Sequence, residues 1–158
     1  MQPKHIFTKI IFSLILILTL SACQAQRAFM VHENALVFTA KYTKEKNFRI
    51  YKADGYWTPS TEDIMTLEEG LDEYLQENAH IFYSETPPWE KLEKYQRQYI
   101  GYKENGNHMI YGNYFCGAGK LDWTVEFIEV MDGGECFFQV RYDADSSVFT
   151  ELRVNGEA

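Results

Sequence analysis

The stretch Tyr99-Ile100-Gly101-Tyr102-Lys103-Glu104-Asn105-Gly106-Asn107-His108-Met109-Ile110-Tyr111 decides the fold class. Two β-rich runs flank Asn105-Gly106, and Asn-Gly is the strongest short hairpin signal because both central residues of the turn take positive φ. The second run continues through Tyr114-Phe115-Cys116. Further on, Trp123-Thr124-Val125-Glu126-Phe127 alternates as a half-buried strand does. Asp132-Gly133-Gly134 reads as another hairpin turn, leading into a strand over 136–142, a turn at 143–147 and a last strand over 148–154. With an Asp-Gly turn Phe127 faces Phe138, Val125 faces Val140 and Trp123 faces Tyr142, with Glu126 beside Arg141 across the strands; a Gly-Gly turn slides the pairing by two residues and keeps the same faces inward.

Upstream, residues 35–42 and Phe48-Arg49-Ile50-Tyr51 have β character around a polar turn, and read as a second hairpin. Thr58-Pro59 marks a helix start, the hydroxyl as cap and the proline at the first helical position, where its missing N–H is not needed. Ile64, Leu67, Leu71, Tyr74 and Leu75 fall on one helical stripe. Gly70 interrupts it at a cost of about 1 kcal/mol relative to Ala, inviting a bend. Pro87-Pro88 stops the chain, and Trp89 to Tyr95 reads as a short helix or turn-rich segment. A helical run followed by strands implies an α+β fold: a helix packed on an antiparallel β-sheet of four or more strands. That element order resembles cystatin-like or NTF2-like architecture, an analogy that carries no activity.

The N-terminus sets a location. Lys4, His5 and Lys9 precede an apolar run from Ile10 to Leu20, and Ser21-Ala22-Cys23 follows. A positive start, a short apolar core and small residues are the parts of a signal peptide. The run is shorter than the ~20 apolar residues of a membrane span. Leu20-Ser21-Ala22-Cys23 resembles the lipobox of bacterial lipoproteins. By that resemblance residues 1–22 are removed, Cys23 is lipidated, residues 23–34 form a tether, and residues 35–158 form a single domain. The implied location is the bacterial envelope. Gln24 rather than Asp after the cysteine favours the outer membrane if the host is Gram-negative. Several acyl chains together make such an anchor close to permanent.

A further resemblance covers roughly the last two thirds of the chain. Trp57-Thr58-Pro59, Arg97-Gln98-Tyr99, Phe115-Cys116, Asp132-Gly133-Gly134, Tyr142-Asp143 and Asn155-Gly156-Glu157-Ala158 are similar to pieces of small, uncharacterised bacterial envelope lipoproteins. The resemblance implies a domain and no mechanism.

Composition narrows the remainder. The chain has 158 residues, 46% hydrophobic and 16% aromatic, too apolar to be disordered. Its formal charge of −8 becomes about −10 once Lys4 and Lys9 leave with the signal. Acidic balance argues against nucleic acid and against docking on anionic lipid, and permits a basic partner. Eleven Tyr, eleven Phe and three Trp are more than a small core needs. Strict alternation sets Phe137 and Phe149 opposite Phe138, Val148 and Leu152, so both sheet faces carry aromatics. Either the N-terminal hairpin covers the second face, or that face is a binding surface; the need to pack residues 35–51 favours the hairpin.

Motifs for chemistry are sparse. His32, His80 and His108 make no metal-ligand spacing, and no cofactor motif is present. The acids around Glu62, Asp63, Glu68, Glu69, Asp72 and Glu73 read as a solvated helix flank rather than a hydrolase pair. Cys116 and Cys136 face opposing arguments. Export to an oxidising compartment favours a disulfide, whereas a simple meander sets them about 9.5 Å apart across an intervening strand, beyond bridging range. The leading expectation is a lipid-anchored, non-catalytic binding or structural module with an envelope protein partner. A small NTF2-like enzyme is the alternative, with a pocket under the sheet drawing on Tyr111, Asn113 and Asp132. An inhibitor or immunity-type protein acting on a basic envelope enzyme is a third.

Overall fold

The computed structural model describes residues 27–48 and 53–156. Residues 1–22, expected to be a signal peptide, Cys23 and most of the strand expected over 48–51 lie outside the described residues. In chain order the described elements are β1 (Ala28–His32), β2 (Ala35–Phe38), α1 (Ala40–Lys46), β3 (Gly55–Trp57), α2 (Thr61–Glu77), β4 (Gln96–Glu104), β5 (Asn107–Phe115), β6 (Phe137–Asp143) and β7 (Val148–Val154). Short 3₁₀ turns follow α2, precede β4 and precede β6. The fold is α+β, with α2 packed on a seven-stranded, mostly antiparallel sheet of order β1-β2-β4-β5-β6-β7. β2 runs parallel to β4 along 97–100, and β3 takes the same edge antiparallel along 101–103.

The β4–β5 hairpin forms as its turn dictates. Asn105 and Gly106 take φ of 54° and 89°, and Glu104 pairs with Asn107 across them. α2 buries Ile64, Leu67, Leu71 and Leu75 against Tyr99, Tyr114, Phe138 and Val140. Its cap is Ser60 rather than Thr58. The Ser60 hydroxyl accepts from Asp63 N–H and the Asp63 carboxylate accepts from Ser60 N–H, a full capping box. The Thr58 hydroxyl instead accepts from Ala40 N–H at 2.9 Å. Gly70 does not break the helix, which runs uninterrupted from Thr61 to Glu77 with the Phe149 ring edge against the Gly70 position.

Four local readings change in the tertiary context. Residues 39–42 leave the strand: Thr39 caps α1, and Tyr42 turns inward on that helix. The partner of β2 is therefore β1, within the stretch read as a tether, with Ala28 opposite Phe38. Residues 123–127 form no strand. Asp122 accepts from Thr124 N–H and hydroxyl, an Asx turn that starts a helical turn. Trp123 and Phe127 still pack inward, so the alternation recorded burial rather than a ladder. With no strand there, β5 pairs directly with β6, Phe115 opposite Phe137. Glu126 consequently does not meet Arg141, which bonds Tyr102, Glu104 and Glu151. Finally, a bulge at Arg141/Tyr142 reverses side-chain parity in β7. Phe149 thus joins the α2 side and stacks on Tyr74 with centroids 4.4 Å apart, while Val148 becomes exposed.

The second sheet face carries its own apolar cluster of Leu36, Phe38, Tyr42 and Ile100, with Phe48, Tyr111, Trp123 and Phe127 against it. α1 and the 117–131 segment cover it, not an N-terminal hairpin. Buried amides hold that segment where no neighbouring strand does. Gln98 donates to Trp123 O and Glu126 O and accepts from Ile128 N–H, and Asn113 donates to Ile128 O.

Candidate functional site

Direct pairing of β5 with β6 brings the end of one strand beside the start of the next. Cys116 and Cys136 thereby meet as a disulfide with Cα atoms 5.1 Å apart, inside the ordinary range for a bridge. Cys116 N–H also donates to Cys136 O at 3.0 Å. The meander objection fails because its intervening strand does not exist.

Among the described residues, three open clefts run in series from this bridge, each sharing lining residues with the next. The largest, about 730 Å³, runs between Tyr83, Lys91, Lys94, Tyr95, Glu135 and the disulfide. A smaller one of about 340 Å³ continues it past Tyr83, Gly134 and Glu135 to Val154, Asn155 and Gly156. The third, about 550 Å³, shares those last three residues and extends to Tyr111, Asn113, Met131 and Arg153. Of the residues expected to form a ligand pocket, Tyr111 and Asn113 sit together in the third cleft, while Asp132 lines the first. They do not converge.

The cleft amides and Glu135 are already engaged. Asn113 holds Ile128 O at 2.8 Å, and Gln139 donates to Asn155 at 3.2 Å. Asn155 donates to Val130 O and Asp132 O. Glu135 accepts from the backbone N–H groups of Tyr83 and Ser84, which fastens the 3₁₀ region after α2 to the start of β6. Burial opposes its charge, but those hydrogen bonds and Lys91 hold its carboxyl below the usual range. The Tyr111 hydroxyl has no hydrogen-bond partner among the described residues. Burial pushes it up to about 12, as it does Tyr95. At neutral pH both phenols keep their protons and are not bases, and the Tyr95 hydroxyl donates to Glu135 O at 2.9 Å.

Tyr83 and Met131, 87% and 94% exposed, stand at the rims. A flexible thioether and an exposed ring are adaptable contact groups. Neither carries a sequence signal beyond its residue type. Gln98, Asn113 and Gln139, by contrast, interrupt otherwise apolar strands, and that pattern is how buried amides announce themselves.

A second polar cluster lies between α2 and the sheet, outside the clefts. Glu68 accepts from Arg97 Nη1 at 2.9 Å, from the Tyr99 hydroxyl at 2.6 Å and lies 3.0 Å from His32 Nε2. Tyr99 and Tyr114, both fully buried, share a 3.0 Å hydroxyl contact. Glu68 is therefore no part of a solvated flank. Burial disfavours its charge, yet Tyr99 and Arg97 outweigh that and hold its carboxyl low. His108 pairs with Asp145 at 3.1 Å and rests on Trp57, apart from His80 on the turn after α2. Among the described residues no His, Cys, Asp or Glu cluster fits a metal ion, and no helix is long and apolar enough to cross a membrane.

Compared with protein-family models, curated proteins and solved structures, the chain finds no match.

Proposed function

We propose that this chain is a lipid-anchored protein of the cell envelope that acts as a non-catalytic binding module, receiving a protein partner along the clefts beside the Cys116–Cys136 bridge. The anchor rests on the Leu20-Ser21-Ala22-Cys23 motif. One observation carries the binding role: the cleft amides Asn113, Gln139 and Asn155 and the Glu135 carboxylate are bound to backbone or to each other, while the rim presents exposed Met131 and Tyr83. Active sites converge on free, tuned acids and bases. These clefts offer apolar contact, the neutral Tyr111 hydroxyl, charged groups such as Lys91, Lys94 and Asp132 and an adaptable rim, which suits a partner's side chains.

A photo-crosslinking residue in place of Met131 or Tyr83, in cells carrying the native membrane, tests this. Discrete adducts with an envelope protein are expected from both positions and not from exposed Glu77 on α2. Adducts no stronger than those from Glu77 would overturn the cleft as a binding surface. Mass spectrometry of the membrane-purified chain tests the anchor: acyl mass on Cys23 supports it, and an unprocessed Met1 rules it out.

A further inference from the structure

We propose that Arg27 and α1 form a second membrane contact, a basic face that lies on anionic lipid headgroups next to the anchored N-terminus. The proposal deepens the anchored reading and rests on it for its geometry. Ala28 lies five positions after Cys23. An extended chain covers at most about 3.3–3.6 Å per residue, so β1 starts within roughly 17 Å of the lipidated cysteine. The body has no long tether, and whatever surrounds the start of β1 meets the headgroups.

That surroundings is cationic in an otherwise acidic molecule. Arg27 O accepts from Thr39 N–H at 2.8 Å, and Thr39 is the cap of α1. The helix is thus pinned beside the point where the chain enters the sheet. Tyr42 and Thr43 face inward, while Lys41, Lys44 and Lys46 stand exposed with Arg27. Lys46 leans over the Tyr42 ring, 5.7 Å from its centroid. Along α1 three lysines stand against one acid, Glu45, and Glu126 lies near Tyr42. Met30, 44% exposed, alternates with Ala28 onto the same sheet face and adds an apolar contact. Net charge alone argued against anionic lipid. Charge acts locally, however, because exposed groups more than about 8–10 Å apart are screened at physiological salt. Each basic group near an anionic surface adds attraction, and the acidic remainder of the molecule is repelled, which orients the body with α1 toward the membrane.

The test uses the full chain purified from bacterial membranes and mixed with two kinds of vesicle, phosphatidylcholine alone and phosphatidylcholine with phosphatidylglycerol. Flotation reports attachment, and acetylation rates measured lysine by lysine report contact. Flotation with both vesicles is expected. On the anionic vesicles Lys41, Lys44 and Lys46 should be slowed at least about tenfold relative to Lys91 and Lys94, with recovery in high salt. Flotation with both vesicles and equal lysine rates on both would overturn the basic contact and leave the anchor standing. Flotation with anionic vesicles alone, with α1 lysines slowed, would support the basic contact and remove the anchor. Flotation with neither would remove both.

Discussion

The Tyr99 hydroxyl lies 2.6 Å from Glu68 Oε1, joining the centre of β4 to the middle of α2 through a charged group in an otherwise apolar layer. Arg97 and His32 approach the same carboxylate from β4 and β1. The cluster therefore ties the first strand, the main helix and the central strand together, and it depends on one ionised acid.

Replacing that acid should be costly. Glu68→Ala leaves Arg97 facing the apolar layer without its partner, and a loss of about 2–3 kcal/mol is expected, below the full penalty for a wholly buried pair because solvent reaches the carboxylate. The carboxyl titrates below its ordinary value of 4.5 in the folded chain. Its stabilisation is therefore complete above that value and fades as pH falls through the lower folded pKa. Thermal melts from neutral pH to acid should show native stability dropping below about pH 4.5, and Glu68→Gln flattening that drop. Parallel curves for the two proteins would refute the assignment.

The Cys116–Cys136 bridge closes a loop with a sequence separation of 20. Chain-entropy arithmetic for a loop of that size gives about 3 kcal/mol. Cys116→Ser with Cys136→Ser should lower the unfolding free energy by that order, read as a lower denaturation midpoint. Limited proteolysis should then cut first within 117–131, whose backbone relies on side-chain amides rather than a strand ladder. Unchanged protection of that segment would show that the amides suffice alone.

Gly101 sits where β3 pairs with β4, opposite Trp57. An added Cβ would lie 2.5 Å from Trp57 O and 2.6 Å from Pro59 Cδ. Backbone and a proline ring have little freedom to yield, so Gly101→Ala should destabilise by at least about 1–3 kcal/mol. Trp57 emission offers the readout, since its indole N–H donates to Tyr102 O and Met109 O and would be displaced.

Gly70 should respond in the opposite direction. Its Cβ would meet only Phe149 Cε2, at 3.4 Å, and the backbone there is helical. Gly70→Ala is expected to raise stability by about 0.5–1 kcal/mol through helix propensity. A lower melting temperature would mean that the Tyr74–Phe149 stack has no room to adjust.

Local chemistry made much of the fold legible. The Asn105-Gly106 hairpin, the apolar stripe of α2 and the final two strands depend on neighbours in sequence. Expectations failed where one pattern served two structures. Trp123-Thr124-Val125-Glu126-Phe127 buries alternate residues as a strand would, but Asp122 turns it and Gln98 and Asn113 satisfy its backbone from a distance. Residues 35–42 have β propensity throughout, yet a cap at Thr39 ends the strand halfway. Of the expected site, Tyr111 and Asn113 share a cleft and Asp132 lies in another, because the turn it occupies serves β6 rather than a hairpin with 123–127.

By itself the sequence determined the α+β class, the strongest turn, the helix that fills the core and the motif that points to an envelope address, since each depends on residues a few positions apart. Tertiary structure alone decided that the cysteines meet, that Glu68 is held by Arg97 and Tyr99, and that the lysines of α1 gather beside Arg27. Those facts depend on which strand pairs with which, and pairing is chosen by burial and hydrogen-bond satisfaction over the whole chain, not by any local stretch.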